Sequence, residues 1–258
     1  MDNTIAVDAL NRSAFERPDV IEHFSGVDGL FPAEAKILNR LSPQIRGSRI
    51  LDLGIGAGRT TKHLLLISSN YTGLDYVDDF VRKAQSNFPA TDIRRGDARD
   101  LHDFEENDFD FVLFSYNGID CVTHEDRLNI IAEVHRVLKD GGTFTFSSHN
   151  RDYRWFNKLP WRRNIEYDAK FLRFFLYCLF YLPRHFKMKS REVLTDEYAL
   201  INDSDHAYAL LFYYINIANQ KKQLRRLGFS QIEAFDIDGD PVKHDVRSHW
   251  IYYLATKN

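Results

Sequence analysis

The chain has 258 residues, of which 44% are hydrophobic and 28% charged, a composition typical of a soluble globular protein that can bury one elaborated core. Its formal charge of −3 points to no polyanionic partner unless the charge is unevenly distributed. No apolar run reaches membrane-spanning length; the densest, 171–182, is about half as long as a spanning helix and contains Arg173.

In chain order, Pro32 suits the first turn of a helix running to about Leu41, within an N-terminal helical arm over residues 1–48. From Ile50 to Asn150, short apolar runs alternate with amphipathic stretches, the pattern of a parallel sheet with helices on its faces. The predicted strands are Arg49–Leu53, Tyr71–Asp75, Asp92–Arg95, Phe109–Phe114 and Thr143–Ser148. Helices are predicted over Thr60–Ser68, Asp78–Phe88 and His124–Leu138, the last capped by Thr123 and followed by the left-handed stop Gly141-Gly142. Residues 151–205 interrupt the alternation and are read as a helical insertion, either a lid or a packing element. A helix over Tyr208–Leu227, stopped by Gly228, and strands Gln231–Asp236 and Trp250–Ala255 complete one domain over residues 1–258.

The stretch ILDLGIGAGRT places Gly54, Gly56 and Gly58 straight after the first strand. Glycine weakens a strand, so this loop answers a need for positive φ or for a closely approaching ligand. Dinucleotide folds use G-x-G-x-x-G, whereas the spacing here is G-x-G-x-G, preceded by Asp52. Asp75 ends the second strand, where a carboxylate can accept both hydroxyls of a ribose, and Asp97 ends the third.

Together with FDFVLFSYNGID and EVHRVLKDGGTFTFSS, these motifs resemble the class I S-adenosylmethionine-dependent methyltransferases over roughly Ile50 to Asn150. The resemblance implies an α/β, doubly wound Rossmann-like sheet of order 3-2-1-4-5-7-6, with the last strand antiparallel and the insertion after strand five. It also implies S-adenosyl-L-methionine as cofactor. Asp52, Gly54, Gly56 and Gly58 would hold the amino acid end, Asp75 the ribose, Tyr76, Asp97 and Ala98 the adenine, and Ser115 would lie beneath. Val77 replaces the usual small residue two places after the strand-two acid, which puts a cap to the following helix in doubt.

Acceptors in such sheets sit at the carboxyl ends of strands four and five. Candidates there are Tyr116, Asn117, Asp120, Ser148, His149 and Asn150, joined by His206 and Tyr213 from beyond the insertion. His149 is the preferred base, with His206 and Tyr213 as further catalytic candidates; the competing reading of His149 is a histidine that only orders its loop. Asn117, Asp120 and Asn150 contain a single acid, too few for a hard cation, so no metal is expected.

The insertion is basic. Residues 151–191 hold eleven Lys and Arg against three acids, a charge of +8, which leaves −11 on the remainder of the chain. The asymmetry suggests an anionic acceptor, a sugar phosphate for example. The 171–182 stretch is expected to be a buried helix with solvated flanks rather than a peripheral membrane contact, and no dedicated nucleic-acid motif is present. Cys121 and Cys178 are far apart and read as reduced thiols, and MDNTIAVDAL lacks the features of a signal peptide, so a cytoplasmic location is expected. The reading is methyl transfer to a hydroxyl or amine of a small molecule. Two rivals remain: a nicotinamide-dependent dehydrogenase and a non-catalytic S-adenosylmethionine-binding interaction protein.

Overall fold

A computed structural model describes residues 3–158, 169–202 and 208–258. At the centre of its sheet lies β1 (Ile50–Leu53), buried throughout and paired in parallel with β2 (Tyr71–Asp75) and β4 (Phe109–Phe114). Next to β2 runs β3 (Asp92–Arg95), and next to β4 runs β5 (Leu138–Asn150). On β5 lies β10 (Trp250–Lys257), antiparallel, and β9 (Phe229–Phe235) pairs antiparallel with β10. With β9 and β10 counted as sixth and seventh, the order is 3-2-1-4-5-7-6, as the resemblance implies.

Both faces of the sheet are apolar because its strands alternate between two cores. Ile50, Phe111 and Leu113 join Ile37, Leu38 and Leu41 of α3 (Pro32–Ile45) on one side. Leu51, Leu53, Val112 and Phe114 join Ile130, Ile131 and Val134 of α6 (His124–Val137) and Leu224 of α8 (Ile217–Arg226) on the other. The two short helices α4 (Thr61–Leu65) and α5 (Asp78–Asn87) follow β1 and β2. Thr123 caps α6 by accepting from Asp126 N at 3.2 Å, as expected.

Register sets the site. Leu53 lies opposite Leu74 and Phe114, so the strand ends bring Gly54, Asp75 and Ser115 into one row. Strand β5 runs on to Asn150, and His149 is there flanked by Tyr214 on one side and Trp250 on the other.

Three expectations need correction. The predicted Tyr208–Leu227 helix is instead strand β8 (Phe212–Ile215) followed by α8, because Phe212–Ile215 finds strand partners on both sides. The insertion is not wholly helical: after α7 (Ala169–Met188) come β6 (Val193–Leu194) and β7 (Tyr198–Ile201), which extend the sheet through β8. Nor is α7 a buried helix, since Leu172, Leu176, Leu179, Phe180 and Phe186 are exposed. The N-terminal arm folds as α1 (Asn3–Phe15), α2 (Pro18–Gly26) and α3. Asn11 ties α1 down by donating to Cys121 O at 2.7 Å and Leu211 O at 3.0 Å, while its own oxygen accepts from Leu211 N.

Candidate active site

A cavity of about 760 Å³ opens over the carboxyl ends of β1, β2 and β4. Its floor is the glycine loop, and its cover comes from α1–α2 (Phe15, Phe24) and from Tyr177 and Tyr181 of α7. The N-terminal arm therefore shares the role expected of the insertion alone.

The three loop glycines all have positive φ, but they serve different ends. A Cβ on Gly54 would meet the Phe114 ring at 2.7 Å, and one on Gly58 the Phe88 ring at 2.5 Å. These two make room for the protein's own side chains. A Cβ on Gly56 would meet nothing within 4 Å, because Gly56 faces the cavity. Neither Asp52 nor Gly58 lines the cavity, which corrects their expected ligand role. Asp52 lies fully buried beneath the loop, where one carboxylate oxygen accepts from Thr60 Oγ1 at 2.6 Å and Tyr71 OH at 3.0 Å. Burial pushes its carboxyl up to about 7.

Asp75 accepts from Gly56 N and Val77 N, each at 2.9 Å and each on a different oxygen. The second bond satisfies the backbone N–H of Val77, the N-cap residue of α5, which itself supplies no side-chain cap. Each oxygen keeps further accepting capacity, and burial pushes the carboxyl up to about 6. Asp97 is also partly buried, yet bonds from Arg99 outweigh burial and hold its carboxyl below the ordinary value. Arg12 of α1 reaches Asp97 at 3.4 Å and lies 4.8 Å from the centre of the Tyr76 ring, so α1 touches both residues. Tyr76, Asp97 and Ala98 all line the cavity.

Ser115 lines it too, in a cluster that sequence reading missed. Arg59, next to Gly58, forms a two-pronged ion pair with Glu34 of α3 at 2.7 and 2.8 Å and also donates to Ser115 Oγ. Ser115 bonds Glu34 in turn. The guanidinium stacks between the rings of Phe31 and Tyr116, at 4.7 and 5.5 Å. Its local signals were an arginine inside the glycine loop and a Glu at the third position of α3 that caps Phe31 N at 2.9 Å.

At the opposite wall His149 Nδ1 bonds Asp120 Oδ2 at 2.7 Å, and His149 N donates to the same oxygen at 2.6 Å. The other Asp120 oxygen accepts from Ser148 Oγ at 2.8 Å and from Arg127, whose side chain is fully buried. Arg127 is held further by Gln220 Oε1 at 2.7 Å and by the Tyr213 ring at 4.5 Å. A carboxylate offers no proton, so Nδ1 carries the hydrogen and Nε2 is the lone-pair nitrogen left for the cavity that His149 lines. Phe212, Tyr214 and Trp250 surround the imidazole at 5.0, 4.9 and 6.4 Å between ring centres.

Between these walls, Tyr116 and Asn117 both adopt left-handed backbone, with φ of 52° and 56°. Two such non-glycine residues in a row store strain at the end of β4. Asn117 lines the cavity, and its buried Oδ1 has no partner among the described residues.

The remaining candidates fall elsewhere. Tyr213 is fully buried, bonded to His124 Nδ1 at 2.8 Å and stacked on Tyr198, so it packs in the core and does not line the cavity. Asn150 holds the loop before β10 through Asp245 O and Ser248 O. His206 lies outside the described residues. No group of three or more metal-type ligands occurs among the described residues.

Residues 50–142 match the family described as "Methyltransferase domain". This stretch runs from the first strand through the glycine loop to the start of β5. Over this stretch the chain is a methyltransferase domain, and its fold is shared with S-adenosylmethionine-dependent methyltransferases of known structure. The chain is 35% identical over 109 residues to an uncharacterized methyltransferase from Synechocystis, covering 42% of this chain and 50% of that protein. It is 30% identical over 133 residues to a sterol 24-C-methyltransferase from Saccharomyces cerevisiae, covering 48% and 33% respectively. The chain thus spans half or less of the length of these two relatives. A similar fold occurs in the 1,6-didemethyltoxoflavin-N1-methyltransferase of Burkholderia thailandensis, solved with S-adenosylhomocysteine. There the TM-score is 0.64 at 16% identity, over 100% of this chain and 92% of that one.

S-adenosylmethionine is the cofactor of this domain family, and the cavity fits it. Gly56 leaves open the space that a Cβ would fill, Asp75 has accepting capacity for a diol, and Tyr76 and Ala98 supply a wall for a flat base.

Proposed function

We propose that the protein methylates a hydroxyl of a small, neutral, largely apolar molecule, with His149 as the general base. The pairing of His149 with buried Asp120 in the cavity wall carries this reading. The cofactor, when bound, supplies a sulfonium methyl that is electrophilic without further activation. Gly54, Gly56, Asp75, Tyr76, Asp97, Ala98 and Ser115 would hold it. The protein's own task is to hold the acceptor and remove its proton. His149 accepts the hydroxyl proton at Nε2, and Asp120 steadies the imidazolium that results. Because Arg127 and Ser148 hold Asp120 in turn, the base keeps one orientation. The unpartnered Asn117 Oδ1 would accept from a second donor on the acceptor.

The rings of Phe212 and Trp250, which line the cavity beside His149, favour a flat acceptor. Arg17, Arg59 and Arg99 line the cavity but pair with Asp19, Glu34 and Asp97, which favours a neutral molecule over the anionic one suggested by the charge of the insertion. Two thiols, at Cys121 and Cys178, suit a reducing, cytoplasmic setting. The test offers methyl-labelled S-adenosylmethionine with a panel of neutral phenols and matched anilines. Label should enter the phenols, and His149→Gln should abolish most of it. Label in the anilines alone would shift the reading to an amine. Binding of S-adenosylhomocysteine with no transfer to any acceptor would favour the non-catalytic rival.

A further inference from the structure

Helix α7 is apolar around most of its circumference, yet only one side of it is buried. Its inward side is anchored by Cys178 and Met188, with His185 bonding Asn202 Oδ1 at 3.0 Å. On the outward side Leu172, Leu176, Leu179, Phe180 and Phe186 fall at i, i+4, i+7, i+8 and i+14, a single stripe. Leu176 is 55% exposed, Phe186 65% and Phe180 76%. A solvated surface helix would carry polar residues there, so this stripe is built to be covered.

The charges beside the stripe indicate what covers it. Residues 169–191 hold six Lys and Arg and no Asp or Glu. Arg173, Arg184 and Lys187 are exposed along one flank of the stripe. Two copies packed about a twofold through this face would bring like charges together, which disfavours self-association. Anionic headgroups with acyl chains beneath them match both features at once: cations meet phosphates, and the leucines and phenylalanines enter the apolar boundary. No described helix is long and apolar enough to cross a membrane, so α7 would lie on the surface.

We propose that α7 docks the protein on an anionic lipid bilayer, with its Leu172–Phe186 stripe inserted at the headgroup boundary. Tyr177 and Tyr181 of the same helix line the cavity, so docking sets the cavity beside the lipid.

The test is co-sedimentation of the full chain with phosphatidylcholine vesicles, with and without phosphatidylserine. The wild type should sediment with the phosphatidylserine vesicles and much less with the neutral ones. Leu176→Glu/Phe180→Glu should lose at least about tenfold in binding while keeping its circular dichroism spectrum and its affinity for S-adenosylhomocysteine, since both side chains face solvent. Arg184→Glu or Lys187→Glu should each weaken binding roughly fivefold or more, and added salt should do the same. Equal binding to neutral vesicles would overturn the anionic surface. Absence of vesicle binding, with a dimer in ultracentrifugation that Leu176→Glu/Phe180→Glu dissolves, would overturn the proposal in favour of a second copy.

Discussion

His149 Nδ1 and Asp120 Oδ2 lie 2.7 Å apart across 29 residues of chain, joining the end of β5 to the 3-10 turn Gly118–Asp120 after β4. The parallel pairing of β4 with β5 makes this contact, and Arg127 holds the carboxylate from behind. His149→Gln keeps a polar side chain of similar reach but cannot take the proton. Turnover of a phenol should fall roughly 10²–10⁴-fold, with calorimetric affinity for S-adenosylhomocysteine unchanged. An equal loss of cofactor affinity would show instead that His149 shapes the cofactor's site.

Asp75 should make cofactor binding depend on pH. Burial raises its carboxyl to about 6. In the proposed ribose contact only the ionised form would accept from both hydroxyls. Affinity for S-adenosylhomocysteine should hold from about pH 8 to about pH 6 and then fall about tenfold per further unit. Asp75→Asn should bind weakly throughout and lack that slope. A flat wild-type profile down to about pH 5 would remove Asp75 from the ribose.

Asp52 should make stability depend on pH, in the opposite direction from a salt-bridged acid. Its folded value of about 7 exceeds the ordinary 3.8, so the folded state holds the proton more tightly than the unfolded chain. The stabilisation is complete below about pH 4 and is lost as pH rises through about 7. Asp52→Asn keeps an acceptor for Thr60 and Tyr71 and never becomes charged. In urea unfolding it should match wild type near pH 4 and exceed it near pH 8, by at most about 4 kcal/mol. A difference that does not change with pH would contradict the assignment.

The glycines should separate fold from binding. Gly58→Ala drives a Cβ to within 2.5 Å of the Phe88 ring at a φ of +94°, and should cost more than 1–2 kcal/mol in thermal unfolding. Gly56→Ala meets only open cavity and should cost about 1 kcal/mol for its backbone, yet weaken S-adenosylhomocysteine binding severely. Equal effects of both on binding and stability would mean that the loop acts only as a tight turn.

Tyr213→Phe removes the hydroxyl bonded to His124 and nothing in the cavity. Stability should drop by about 1 kcal/mol with turnover unchanged. A large loss of turnover in a folded variant would return Tyr213 to the catalytic group.

The strands Tyr71–Asp75, Asp92–Arg95 and Phe109–Phe114, the glycine loop and Asp75 were legible in the chain itself. Apart from Asp92–Arg95, which holds a single apolar residue, each is a local device: an apolar run of strand length, a residue that tolerates positive φ, an acid where a run ends. Their order in the sheet came from the family resemblance rather than from any local pattern. Phe212–Ile215 was misread because four apolar residues suit a helix or a strand equally, and only pairing with His149–Asn150 and with β7 makes them a strand. Contacts across long separations were likewise invisible: Glu34 with Arg59, Asn11 with Leu211, Asp120 with His149. Their energy depends on water being excluded around both partners, and burial at one position is decided by chain far away. The same holds for α7. Its sequence shows an apolar, basic helix, but which side meets the protein and which is left for another surface is set by how the sheet receives Cys178 and Met188.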